Sequence, residues 1–120
     1  MANNDAFDLK IGVPELGSQI FVITTFDASK KVVTPNSIKW TLTDDIGTVV
    51  NSRIDVPISS VSSENFITIQ GSDCAMGFNS ATRLLTVEAL YDENITGTVQ
   101  TNVPQTEEYK FTIRSFTNIP

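Results

Sequence analysis

The stretch Ile38–Arg53, IKWTLTDDIGTVVNSR, sets Ile38, Trp40 and Leu42 against Lys39, Thr41 and Thr43, then breaks at Asp44, Asp45, Ile46 and Gly47. Alternation of apolar and polar residues belongs to a strand with one face on a core and the other toward water. The break has the form of a type I turn closed by a left-handed glycine, the three-residue hairpin loop with a G1 bulge. Asp44 suits its first position, because a carboxylate there accepts hydrogen bonds from backbone N–H groups two residues on. Asp44 and Asp45 are therefore expected to shape a corner rather than to perform chemistry. Ile46 is the misfit. An apolar tip residue gains nothing unless another surface covers it, which makes Ile46 an expected protein-interface residue.

The same alternation recurs along the chain. Ile54, Val56 and Ile58 alternate with Arg53, Asp55 and Pro57. Leu85, Val87, Ala89 and Tyr91 share one face of RLLTVEALYD, and Tyr109, Phe111 and Ile113 alternate with Lys110, Thr112 and Arg114. No segment holds a helical period over three turns. Turn-forming clusters such as TPNS, DDIG, SSVSSEN, DENITG and NVPQTEE recur every eight to twelve residues or so, the spacing of a sandwich or barrel. Strands are expected at about 6–11, 18–26, 37–43, 48–56, 65–70, 82–91 and 106–115, with one short helical turn in SDCAMGF. The expected fold is all-β: an immunoglobulin-like β-sandwich of about seven antiparallel strands in two sheets.

At 120 residues the chain reads as a single domain, 1–120, with short mobile arms at 1–5 and 116–120. In such a sandwich Trp40 takes the large aromatic position at the centre of the core. The cysteine pair that bridges the sheets of antibody domains is missing, so Ile23 and Val87 are expected to fill that space. Tyr91 is placed to tie its hydroxyl to nearby backbone. Cys74, the only cysteine, has an acid beside it and reads as a small buried filler.

Composition narrows the function. Fourteen acidic against eight basic residues give a net charge of −6, with the basic residues scattered, which argues against nucleic acid as a partner. No apolar run approaches the roughly 20 residues of a membrane span. The start MANNDAFDLK lacks a signal-peptide pattern, so synthesis and assembly in the cytosol are expected. Histidine is absent, which removes Ser-His-Asp and Cys-His nucleophilic sites and most zinc sites. Glu107 and Glu108 face opposite sides of a strand, and the glycines are isolated. No catalytic residue, cofactor or metal site is expected. Asp27, Asp44, Asp45, Asp73, Asp92 and Glu93 all lie in expected loops, with Asp27 expected near the Asp92–Glu93 pair, but without the spaced ligand series of a calcium site they read as solvated loop acids. The sequon Asn94-Ile95-Thr96 reads as a chance match in a loop.

The pattern P-x-S-I-x-W-T-L-T-D-x-x-G-x-V-V-N-x-R, from Pro35 to Arg53, is joined later by R-x-L-T-V-E-A-x-Y, from Arg83 to Tyr91. Together they resemble small immunoglobulin-like proteins encoded among bacteriophage structural genes, over about half the chain. The resemblance implies a virion component assembled in the bacterial host cytoplasm. It implies a non-enzymatic auxiliary or decoration protein on the capsid exterior, with capsid or other virion proteins as partners and self-association on the particle as a further expectation. Phe116 and Ile119, in the tail SFTNIP beyond the last expected strand, join Ile46 as expected interface residues. The alternative is a recognition module of a tail or fibre, binding a host-surface glycan or protein; a carboxylate-dependent enzyme is the remaining competitor.

Overall fold

The structure is a computed structural model, and it describes residues 7–14, 16–75 and 81–114. Strands β1 (Phe7–Pro14), β2 (Ser18–Phe26), β3 (Val32–Val33), β4 (Ser37–Asp44), β5 (Val56–Pro57), β6 (Glu64–Gln70), β7 (Thr82–Ile95) and β8 (Thr98–Arg114) form two sheets. The larger runs β1-β8-β7-β4-β5 and the smaller β3-β2-β6. Among the described residues the one helical element is a 3₁₀ turn, Gly71–Cys74, which overlaps the start of the segment SDCAMGF expected to form a helical turn.

The core follows from the alternation. Ile38, Trp40 and Leu42 of β4, Leu85, Val87 and Ala89 of β7, and Phe111 and Ile113 of β8 are buried on one sheet. Phe21 and Ile23 of β2, and Ile67 and Ile69 of β6, join them in a single cluster from the other. Each side chain so buried contributes on the order of 1.5–3 kcal/mol. Trp40 is 7% exposed and pairs across the ladder with Val87 on one side and Val56 on the other, as its expected central place requires. Ile23 and Val87 lie in the same cluster.

Two departures have local causes. No continuous strand spans 48–56. After the corner the chain returns only briefly: Val50 N–H donates to Leu42 O, then Leu42 N–H donates to Arg53 O. Between them Asn51 and Ser52 both take positive φ, 55° and 59°, and Arg53 N–H donates to Val50 O. That is a type I′ turn set into the middle of the would-be strand. Asn tolerates this conformation well, whereas Ser pays the usual Cβ penalty. Ser52→Gly is accordingly expected to raise stability by about 0.5 kcal/mol, the relieved strain exceeding the entropy cost of glycine. A urea melt of the variant checks this; a lower midpoint would contradict the turn assignment.

The second departure concerns β1 and β8. β1 pairs with β8 in parallel, so the larger sheet is not purely antiparallel. β8 also begins at Thr98, taking in the NVPQTEE stretch that reads as a turn. Pro104 is tolerated there because, among the described residues, β1 pairs only with positions from Tyr109 onward and no second strand flanks β8 at that level.

Candidate functional site

The corner of the Ile38–Arg53 stretch forms as its residues require. Asp44 Oδ1 accepts the N–H groups of Ile46 at 3.0 Å and Thr48 at 2.9 Å. Gly47 sits at φ 93°, its N–H donating to Asp44 O at 3.3 Å, and Asp44 N–H donates to Thr48 O at 3.0 Å. Burial is the addition. Asp44 is fully buried and lies in register with Arg83 of β7, itself fully buried. Burial pulls the Arg83 pKa below the usual guanidinium value, against the opposing influence of Cys74 and Asp44.

Arg83 also ties down the 3₁₀ turn. Its Nε donates to Asp73 O at 3.2 Å, Nη2 to Ala75 O at 2.6 Å and Nη1 to Thr82 O at 3.1 Å. From the opposite side the type I′ turn delivers Asn51 and Arg53 to the Asp73 carboxylate. Oδ1 accepts from Asn51 Nδ2 at 2.8 Å and from Arg53 Nε at 3.0 Å; Oδ2 accepts from Gln70 N–H at 3.1 Å. The Arg53 guanidinium lies 5.8 Å from the Trp40 ring centroid, within cation–π range. Asp73 is thus a buried clasp, not the solvated loop acid expected. Burial pushes its pKa up, but the hydrogen bonds from Arg53, Asn51 and Gln70, with the Arg53 charge, outweigh it and hold the carboxyl below its ordinary value. Next to it Cys74 is fully buried, its thiol pushed up by burial and by the Asp73 charge. The N-x-R spacing was the available signal for this clasp; reading it required seeing that Asn51-Ser52 turn the chain.

At the other end of the sandwich the expected neighbours do meet. Glu93 Oε1 accepts Ala28 N–H at 2.8 Å, in the loop that begins at Asp27. The Tyr91 hydroxyl donates to that oxygen at 3.1 Å, to a side chain rather than to the backbone expected. Asp27 Oδ1 accepts Ser29 and Lys31 N–H, and Asp92 Oδ1 accepts from Asn36 Nδ2 and Asn102 N–H. Glu93 is buried and so departs from the solvated reading, whereas Asp92 is exposed as expected. Among the described residues no group of three or more acidic or cysteine side chains is placed to hold a metal ion. Among them, too, no helix is long and apolar enough to cross a membrane.

What the surface offers is asymmetry between the two sheets. Outside the larger one, Lys39 lies 3.6 Å from Asp55 and 4.0 Å from Glu88, and Thr86 Oγ1 donates to Glu108. Outside the smaller one stand Ile20 and Val22 of β2 and Phe66 of β6, each more than half exposed. Val22 is directly opposite Phe66, and Phe26 directly opposite Val32, also an exposed apolar pair. Glu64 is the one charged residue among the outward positions of β2 and β6. Sequence reasoning missed this face. QIFVITTF is apolar on both sides, and such a run reads as a strand without saying which side stays uncovered.

Ile46 is 69% exposed at its hairpin tip. Phe116 and Ile119, and the arms at 1–5 and 116–120, lie outside the described residues. No family model, no curated protein and no solved structure matches this chain.

Proposed function

We propose that this protein is a non-enzymatic structural protein of a bacteriophage virion, an auxiliary protein that decorates the capsid exterior. We further assign it an immunoglobulin-like sandwich. β2 and β6 take the B and E places of one sheet, and β4, β7 and β8 the C, F and G places of the other. The observation that carries the functional reading is the apolar face around Ile20, Val22 and Phe66, with Glu64 the one charge on the outward positions of its two long strands, in a chain of net charge −6. An exposed apolar patch rimmed by polar residues marks an interaction surface. The charged outer side of the larger sheet supports the same orientation, with the apolar face toward the shell and the charged face toward water. The carboxylates most open to a chemical reading accept backbone and side-chain hydrogen bonds instead, which supports a structural role.

Electron microscopy and mass spectrometry of purified particles test this reading. The expected result is many ordered copies per particle, with Val22→Lys protein failing to bind shells stripped of it. Absence from purified virions would overturn the proposal. The second reading, a tail or fibre module that recognises a host surface protein, draws on the β7–β8 hairpin. Its tip runs beyond the last β4 partner, Leu90, and exposes Ile95 and Val99.

A further inference from the structure

Every sheet has edges, and an exposed row of backbone N–H and C=O groups invites another strand. Three of the four edges here are blunted. β3 and β5 are two residues long, and β5 contains Pro57. β1 carries Lys10, Gly12 and Pro14, and its pairing is interrupted between Asp8 and Gly12. β6 has none of these devices. It is seven residues long, without Pro, Gly, Lys or Arg, and its register with β2 runs unbroken from Glu64 to Gln70.

The direction of its backbone groups follows from alternation. Gly71 N–H donates to Gly17 O on the β2 side, so Ile69, Ile67 and Asn65 also turn their backbone groups toward β2. Glu64, Phe66, Thr68 and Gln70 then point theirs at the open edge. The ends of that row are occupied. Glu64 O accepts the Ser62 hydroxyl, and Gln70 N–H donates to Asp73. In the middle stand Phe66 and Thr68, whose backbone groups find no partner among the described residues.

We infer that the β6 edge pairs with β6 of a second copy of this chain, antiparallel about a two-fold axis at Ile67. Phe66 then lies opposite the partner's Thr68, and Thr68 opposite the partner's Phe66, each pair exchanging two hydrogen bonds. The two small sheets become one sheet of six strands. The choice of a second copy rests on charge and register. In a chain of net charge −6 the edge centre is uncharged, and this register sets Glu64 opposite Gln70 of the other copy rather than opposite a second Glu64. An isologous contact of this kind closes on itself, giving a dimer and not a fibre. The inference does not depend on what the protein attaches to.

Analytical ultracentrifugation of the full chain, with hydrogen exchange on the same samples, tests it. The expected species has twice the 13.1 kDa protomer mass. The amides of Phe66 and Thr68 should be protected in concentrated solution and exchange at least tenfold faster on dilution. Thr68→Pro removes a donor that the protomer itself does not use, so the variant should sediment as a monomer with unchanged circular dichroism. Should that variant misfold, Phe66→Lys places two like charges beside the seam and is expected to give the same monomer. Three results overturn the inference: a wild-type monomer at millimolar concentration, a dimer that persists in a folded variant, or Phe66 and Thr68 amides protected equally in a monomer. The last would mean that the chain covers its own edge.

Discussion

Arg83→Met is expected to lower the free energy of unfolding by about 4 kcal/mol, a large part of the 5–15 kcal/mol typical of a domain. The substitution keeps most of the apolar stem and removes the guanidinium. It leaves Asp44 buried without its cross-strand cation, and the carbonyls of Asp73, Ala75 and Thr82 without the donors that now satisfy them. Arg83→Lys should recover only part of the loss, because an ammonium cannot reach three carbonyls in the fixed fork that guanidinium provides. Urea unfolding monitored by Trp40 fluorescence measures both variants. A loss under 1 kcal/mol for Arg83→Met would show that water or a rearranged chain replaces the fork.

Asp73→Ala is expected to cost about 3 kcal/mol, since it strands Asn51, Arg53 and the Gln70 amide around an empty position. The same carboxylate predicts a pH dependence. Its folded pKa lies below the ordinary value of 3.8, so the unfolded chain takes up the proton first as pH falls. The stabilisation is complete well above 3.8, and it is lost as pH descends through the folded pKa. Wild-type stability should therefore drop below pH 4 more steeply than that of Asp73→Ala. Parallel slopes for the two proteins would remove Asp73 as the source.

What could be read from the residues was what depends on short range. Ile38, Trp40 and Leu42 declare a strand and its buried face by spacing alone. Asp44 and Gly47 declare a hairpin because the carboxylate and the left-handed glycine act within four residues. The missing parts depend on where the chain has already gone. Asn51-Ser52 become a turn only because Leu42 can bond Val50 on one side of them and Arg53 on the other. Asp73 becomes a clasp only when the crossover after β6 is laid beside that turn. The exposed face of Ile20, Val22 and Phe66 was hidden for a different reason. A strand apolar on both sides fits equally well in the middle of a larger assembly, and its own sequence does not say which neighbour is missing.

The parallel pairing of β1 with β8 has a mechanical meaning. Because the two strands run the same way, a force pulling the front of β1 away from the back of β8 slides one along the other. The two paired stretches, Phe7 and Asp8 with Tyr109 and Lys110, and Gly12 to Pro14 with Thr112 to Arg114, are then loaded in shear, together, rather than peeled one after another. Forced unfolding is governed by the unfolding rate rather than by equilibrium stability. A protein tethered by its two ends would hold through this ladder, even where its measured free energy of unfolding is modest.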